Sequence, residues 1–226
     1  MKLNTRFNYQ KSQSSIVSGS RIYDINGEKL PSVTTILKAT ESEEKRESLR
    51  LWRRKIGDTA ADEIMKKSST RGTKMHKHLE EYLIGQTKMD LGSDDSYIMS
   101  QKIINESLKI KLSEVWGSEV NLFYPKKYAG TADLICKYQG QDVLVDFKQS
   151  NRPKKSDYIQ DYFLQLGAYT LAHDVVYGTK MKAGIILLCT VDNLFQEFKI
   201  ESAELEMYQN LFLGRVKKFY EINNIT

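Results

Sequence analysis

The feature that most constrains the fold of this chain is a pair of apolar runs joined by a short polar turn in residues 128–150. The turn QGQD at 139–142 separates two runs rich in β-branched residues, a pattern that predicts a β-hairpin. Because side chains alternate along a strand, Asp146 and Lys148 share one face of the second strand. Asp133 interrupts the apolar first strand, and the hairpin can bring its carboxylate beside Asp146. Two carboxylates held that close repel each other, and a hard divalent cation is the usual way to neutralise them.

Composition bounds the class of protein. A chain of 226 residues is long enough for one domain with a substantial core. Its two cysteines, Cys136 and Cys189, lie in apolar runs without CxxC spacing, which predicts buried thiols and excludes a four-cysteine zinc or iron–sulfur site. No apolar run reaches the roughly 20 residues of a membrane span, and a net charge of +5 permits a nucleic-acid partner without requiring one. We expect a soluble intracellular protein, cytoplasmic or encoded by a virus, with a mitochondrial location less favoured.

A helical stretch at residues 71–84, RGTKMHKHLEEYLI, carries the first candidate partner for these carboxylates. In helical geometry His76 and Glu80 lie one turn apart, with Leu79 and Leu83 on the buried side, so His76 faces inward at the edge of the helix. His78 points to another side. A lone histidine beside an apolar face is more often a satisfied core residue than a metal ligand, and both interpretations remain open on this evidence.

Two further polar features flank the hairpin. Glu119 stands where an apolar strand begins, as either a solvated strand edge or a second metal contact. After the hairpin, residues 151–155 form a basic loop that proline keeps from becoming helical. Its cations, Arg152, Lys154 and Lys155, suit a phosphodiester backbone if a metal site lies beside them.

Residues 157–177 carry a stripe of one helix face, because Tyr158, Tyr162, Gln165, Tyr169 and Ala172 recur at offsets of four, three, four and three. Tyrosines interrupted by glutamine present polar groups at the ends of their side chains, which suits a solvent-filled groove or stacking on bases. The alternative is that the tyrosines lie over the sheet with their hydroxyls at its rim.

The segments before the His stretch predict local elements. Asn26-Gly27 indicates a tight hairpin, and Ser32 is placed to cap a short helix. A further helix starts at Ser42, with an apolar stripe that includes Leu49 and Ile64 and a basic opposite face, which indicates solvation or nucleic-acid contact. The first 23 residues contain basic side chains and no acid, and we expect a loosely ordered N-terminus there rather than a transit peptide. Residues 86–95 are expected to be a flexible connection.

In chain order these stretches supply R-G-T-x-x-H-x-x-x-E, a glutamate before a strand, G-T-A-D, D-F-K and Q-L-G-A-Y. This series resembles the RecB-like branch of the PD-(D/E)XK nuclease superfamily, over about residues 31–177. Within that branch, L-P-S-V-T-T-I-L and D-F-K-Q-S-N-R-P-K-K are similar to the pattern of mitochondrial genome maintenance exonucleases and related phage exonucleases.

The resemblance implies an α/β (α+β) fold: a restriction-endonuclease-like core whose central mixed sheet is flanked by helices, with an N-terminal helical elaboration. It implies one nuclease domain over residues 1–226, divided into an N-terminal arm and hairpin (1–30), a helical region with the His motif (31–114), a core (115–200) and a C-terminal helix (201–226).

The resemblance also implies roles for individual residues. A divalent ion, Mg²⁺ or Mn²⁺, would be held by His76, Asp133, Asp146 and the carbonyl of Phe147. Lys148 would be the catalytic lysine. Glu119 matches the acidic residue ahead of the core hairpin, and Gln165 with Tyr169 matches the motif that orients the lysine and the substrate. Residues expected to contact DNA are Arg71, Arg152, Lys154, Lys155, Tyr158, Tyr162 and Tyr169.

The function that follows is a metal-dependent DNA exonuclease that prefers single-stranded DNA with a free end and carries no iron–sulfur cluster. An endonuclease on the same fold is the nearest alternative, because the core motifs do not state whether an end is required. A catalytically silent DNA-binding module would require a missing site residue, and a small-molecule α/β enzyme is the remaining alternative. Replication or recombination proteins are the partner class that the resemblance suggests.

Overall fold

The structure, a computed structural model, describes residues 2–86 and 94–224. Most of the connection predicted at residues 86–95 lies outside the described residues. In the two described ranges, none of the helices combines the length and the apolar character that crossing a lipid bilayer requires.

A six-stranded sheet is the centre of the fold. Its strand order is β1-β5-β6-β7-β8-β9, with β1–β5 and β7–β8 parallel and the other pairs antiparallel. The predicted mixed sheet and its hairpin are therefore confirmed. The strands are β1 (Lys2–Leu3), β5 (Leu112–Tyr124), β6 (Tyr128–Tyr138), β7 (Gln141–Ser150), β8 (Ala183–Thr190) and β9 (Phe195–Glu201).

Helices cover both faces of this sheet. One face is packed by α3 (Asp58–Leu83) and α4 (Asp95–Ile103), which continues through a π-helical turn (Ile104–Leu108) into α5 (Lys109–Lys111). The other face is packed by α1 (Val33–Ala39), α6 (Gln160–Tyr177) and α7 (Ser202–Ile222). Each face has its own apolar core because the sheet strands are buried on both sides, as the uninterrupted apolar sequence of β8 requires.

A small second sheet, of strands β2 (Gln13–Val17), β3 (Ser20–Ile25) and β4 (Glu28–Pro31), packs on β6 through Tyr23 and Leu30. The predicted Asn26-Gly27 turn joins β3 to β4 with positive φ at both residues, and Ser32 caps α1 as expected. The N-terminus is not loosely ordered as predicted, because the Phe7 ring packs against Trp116.

The helix expected from Ser42 through Ile64 is interrupted, which corrects the sequence prediction. Helix α2 (Glu43–Ile56) ends at Gly57, where φ is 86°, and α3 then runs without a break through the His motif. None of the α2 residues is buried, and Leu49 is 45% exposed. The apolar period in this region therefore marks an arm that projects from the core rather than part of the core.

The two strands of the central hairpin separate at one point. Pairing between β6 and β7 ends at Leu134 and Val145, after which β6 continues against β5 alone and β7 against β8. The next residues, Asp133 and Asp146, stand at the two sides of this fork.

Candidate active site

Asp133 fills the gap that opens where the strands part. Its Oδ2 atom accepts a hydrogen bond of 2.7 Å from the backbone N–H of Phe147, a donor that has lost its partner on β6. Asp133 is only 8% exposed, and this hydrogen bond orients its carboxylate. The same bond places the Phe147 backbone beside the Asp133 carboxylate. The Phe147 carbonyl was expected to be a metal ligand at this position.

Helix α3 delivers His76 to the fork. Met75 and Leu79 are fully buried against the sheet and anchor the helix. The Nδ1 atom of His76 lies 3.5 Å from Asp133 Oδ1 and 3.7 Å from Glu119 Oε1. The ring faces two carboxylates, a position that suits either a metal ligand or a histidine satisfied by an ion pair. His78 packs on another side of the helix, as predicted.

Glu119 reaches the fork through a distorted backbone. The sequence placed it at the start of a strand, whereas it lies inside the long strand β5, opposite Asp133 in the register that pairs Ser118 with Leu134 and Val120 with Ala132. Its φ is 51°, in the left-handed region. A non-glycine residue held there costs about 1–3 kcal/mol, and such strain concentrates at functional sites. The strain accompanies a side chain turned toward His76.

Lys148 and Asp146 form the other half of the fork, on one face of β7 as predicted. The Lys148 ammonium forms an ion pair with Asp146 and donates a 3.1 Å hydrogen bond to Gln165 Oε1. The Gln165 amide nitrogen donates in turn to the Tyr169 hydroxyl at 3.2 Å. Helix α6 thus contacts the lysine through Gln165, which is bonded in turn to Tyr169; the orienting role expected of this pair stays a prediction.

The pKa values in the fork reflect opposed charges in a buried place. Burial disfavours the imidazolium, but the Asp133 carboxylate outweighs it and raises the pKa of His76 to about 10. Burial raises the pKa of Asp146 to about 6, with Lys148 opposing the rise and Asp133 adding to it. Burial likewise works against the ammonium, but the carboxylates of Asp146 and Asp133 hold the pKa of Lys148 above its ordinary value.

The donor set fits a divalent cation. His76, Glu119 and Asp133 each offer a ligand atom, and these atoms lie within 4.8 Å of one another. Asp146, expected as a ligand, lies outside this group, and its buried Oδ2 atom is paired with the Lys148 ammonium. Carboxylate oxygens with one imidazole nitrogen suit Mg²⁺ and Mn²⁺, and the nitrogen makes Mn²⁺ a good substitute.

Arg71 is hydrogen-bonded within the protein, and its expected contact with DNA stays a prediction. Its guanidinium donates twice to Gln149 Oε1, at 2.9 and 2.7 Å, and also to Asn151. The Gln149 amide nitrogen donates back to α3 at the Ser68 carbonyl, at 3.0 Å. These bonds tie α3 to β7 between about one and two helical turns before His76 and so help to position the imidazole.

A groove of about 480 Å³ leads to the fork between α3 and β7, with Tyr162 on its α6 wall. The Lys148 ammonium lies 5.1 Å from the centre of the Tyr162 ring. The basic loop continues from this groove, with Arg152 and Lys155 exposed. Gln196 fixes the loop, since its side chain accepts from the Lys154 backbone N–H at 2.8 Å and donates to the Lys154 carbonyl at 2.9 Å.

The predicted tyrosine stripe is only partly realised. Helix α6 starts at Gln160, so Tyr158 lies in a preceding 3₁₀ turn and is 79% exposed. Tyr169 is 3% exposed, which contradicts its expected stacking on a base. Its hydroxyl accepts a hydrogen bond from Gln165 instead.

Gly130 makes room for Tyr169, and this gives a testable prediction. A Cβ atom at Gly130 would lie 2.6 Å from Cε1 and 2.9 Å from the hydroxyl of the buried tyrosine ring. We expect Gly130→Ala to lower the free energy of unfolding by about 1–3 kcal/mol, since overpacked sites relax at that cost. Gly72→Ala is the matched control, because its Cβ would meet only Gln149 at an ordinary 3.6 Å in the interior of α3. Denaturant unfolding should show a neutral or stabilising change there; equal effects at the two glycines would contradict the packing described.

Some site features were not accessible to the sequence analysis. One such feature is the environment of Glu80, where burial and then the Glu119 carboxylate raise the pKa of the side chain. The network Tyr23–Thr131–Asn121 was missed because its members come from three separate strands. The polar residues Q-S-N directly after D-F-K are the sequence feature that indicates the contacts of Gln149 and Asn151.

No protein-family model matches the chain. The chain is 27% identical over 206 residues to mitochondrial genome maintenance exonuclease 1 of Homo sapiens. The alignment covers 85% of this chain and 58% of the human protein. It is 30% identical over 176 residues to the protein of the same name from Mus musculus, in an alignment that covers 72% of this chain and 50% of the mouse protein. The chain thus spans about half the length of the curated relatives it matches.

Among solved structures, a phage-related exonuclease from Haemophilus somnus aligns with 86% of this chain and 96% of its own, at a TM-score of 0.33 and 13% identity. The sequence similarity to the mitochondrial genome maintenance exonucleases extends over 72–85% of this chain. These relatives support a PD-(D/E)XK exonuclease-like family for the chain.

Proposed function

We propose that this chain is a divalent-metal-dependent deoxyribonuclease that hydrolyses phosphodiester bonds from the free ends of single-stranded DNA. The observation that carries the proposal is the convergence of His76, Glu119 and Asp133 within 4.8 Å, beside the buried pair of Asp146 and Lys148. The relatives' shared name, an exonuclease, supports the same reaction class.

The carboxylates and the imidazole are the metal-binding part of the proposed site. His76, Asp133, Asp146 and the Phe147 carbonyl would hold Mg²⁺ or Mn²⁺, with Glu119 as a further ligand from β5. When bound, such an ion polarises a nonbridging phosphate oxygen and provides hydroxide from water near neutral pH. The Phe147 N–H keeps Asp133 aimed at the fork, so the ligand geometry is set before substrate arrives.

Lys148 is the proposed catalytic residue of the chain itself. Phosphodiester hydrolysis adds negative charge to the phosphoryl oxygens, and an ammonium fixed beside them stabilises that charge without reorganising. Gln165 accepts one of the three Nζ protons and Asp146 neutralises the group, so the remaining donor capacity can face the phosphate or the attacking water. Tyr169 is a positioning residue, since it acts only by orienting the Gln165 amide.

The groove beside the fork supports a preference for unpaired strands. Its α3 wall presents Ile64, which is 39% exposed, and Met65, which is 48% exposed, and its α6 wall presents Tyr162. Apolar and aromatic side chains next to cations match the faces of bases and the backbone of a single strand. A base-paired duplex keeps its base faces stacked and would not use these contacts.

The test is digestion of a linear single strand labelled separately at each end, with Mg²⁺ or Mn²⁺ and with a chelator. We expect mononucleotides or short products to be released from an end, and no products in the chelator. A circular single strand of the same sequence should stay intact. Cleavage of the circle would replace the exonuclease assignment with an endonuclease, and digestion that survives chelation would overturn the metal dependence.

A further inference from the structure

A second groove, of about 720 Å³, lies between the turn of the β2–β3 hairpin and helix α1. We call it the hairpin groove. Its polar lining comes from the hairpin, from one face of α1 and from the start of α2, and includes Ser18, Arg21, Thr34, Thr35, Lys38 and Arg46.

The charged side chains that line the hairpin groove are all positive. It is lined by three cationic side chains and by no carboxylate. Arg46 donates to the Glu41 carbonyl at 2.8 Å and pairs with Glu43. Arg21 and Lys38, by contrast, take part in none of the ion pairs found among residues 2–86 and 94–224. Hydroxyl groups beside cations are the donors that phosphate oxygens accept from most often.

The groove is held in shape before any ligand binds. Thr35 Oγ1 accepts from the Arg21 backbone N–H at 3.1 Å and donates to the Arg21 carbonyl at 3.2 Å, which fastens β3 to α1. The Ser32 side chain caps the same helix by accepting from the Thr35 N–H at 3.0 Å. Neither contact uses the guanidinium of Arg21, so the charged group is left for a ligand.

The hairpin groove is connected to the fork through one strand. Arg21 and Tyr23 lie on the same side of β3, and the Tyr23 hydroxyl is 3.0 Å from Thr131 Oγ1. Thr131 is two residues from Asp133 on β6. The hairpin groove therefore lies on the β6 side of the fork, whereas the basic loop at residues 151–155 lies on the β7 side.

We infer that the hairpin groove is a second phosphate-binding subsite, which holds the backbone of the nucleic-acid substrate away from the cleavage point. This inference rests on the proposed function. An acidic peptide would satisfy the charge alone, but the Ser18 hydroxyl beside the cations and the connection to the β6 side of the fork favour a phosphodiester chain. The substrate then contacts basic groups on both sides of the fork.

The experiment measures binding of labelled single-stranded DNA by fluorescence anisotropy in chelator, with a short strand that fills only the fork and a long strand that reaches the groove. The variant is Arg21→Glu with Lys38→Glu. The control is Lys217→Glu with Lys218→Glu, the same change of charge on α7. For the long strand we expect the groove variant to raise Kd at least about tenfold and to reduce the slope of log K against log salt by about 1.4.

For the short strand, the groove variant should bind like the control. Equal losses on both strands, or no loss on the long strand relative to the control, would overturn the subsite. Failure of the wild-type protein to digest either strand once Mn²⁺ is added would instead overturn the proposed function. Arg21→Gln with Lys38→Gln removes the charges without reversing them and serves if the glutamate variant does not fold; it should show the same dependence on strand length.

Discussion

Replacement of Lys148 by methionine is expected to slow DNA cleavage by about a hundred- to a thousandfold while DNA binding persists. Methionine keeps most of the volume of the side chain but removes the charge that faces the developing phosphoryl charge. Initial rates on an end-labelled single strand at saturating Mn²⁺ measure the effect, with anisotropy measured in parallel for binding.

Lys199→Met is the matched control for that substitution. Lys199 also lies on a strand and also pairs with a carboxylate two residues away, Glu201, but on the sheet edge. The control should cleave at the wild-type rate. Cleavage by Lys148→Met within a few-fold of the control would remove Lys148 from the mechanism.

The Lys148 variant also leaves the buried Asp146 carboxylate without its cation. Removing one partner of a buried ion pair costs about 3–5 kcal/mol, so the unfolding transition should move to lower denaturant concentration. Added Mn²⁺ should recover part of that loss, because an ion bound only by the folded chain stabilises it.

Asp133→Asn is expected to abolish metal binding and cleavage and to leave the fold intact. The asparagine oxygen can still accept from the Phe147 N–H, but the negative charge at the fork is lost. Mn²⁺ affinity, measured by calorimetry, should fall by more than the roughly 10- to 100-fold that loss of an outer-shell partner costs.

Asp133→Ala separates the two roles of this carboxylate. It removes the hydrogen-bond acceptor as well as the charge and leaves a buried donor unsatisfied, which costs about a further 1–3 kcal/mol of stability. The two variants should be alike in metal binding and different in stability. Wild-type Mn²⁺ affinity in Asp133→Asn would show that this carboxylate is not a ligand.

The parts of the site that the sequence predicted depend on short-range geometry. The placement of Asp146 and Lys148 on one face follows from strand alternation, and the approach of Asp133 follows from a two-residue turn at Gln139 and Gly140. The inward position of His76 follows from helical spacing beside Leu79. Each of these inferences uses neighbours within one element or one hairpin.

The parts that the sequence did not predict depend on contacts between distant segments. The guanidinium of Arg71 meets a glutamine 78 positions away, a bond that no local pattern indicates. Tyr169 on α6 is buried because Gly130 on β6 admits its ring. The interruption at Gly57 depends on a positive φ that glycine allows but does not require.

We propose that one divalent ion binds between α3 and the two strands of the fork. Anomalous diffraction from crystals soaked in Mn²⁺ locates such an ion. We predict a strong peak about 2.1 Å from a His76 ring nitrogen and from carboxylate oxygens of Asp133 and Glu119. A map with no peak there, in which His76 and Asp133 remain joined as a simple ion pair, would show that the fork is not a metal site.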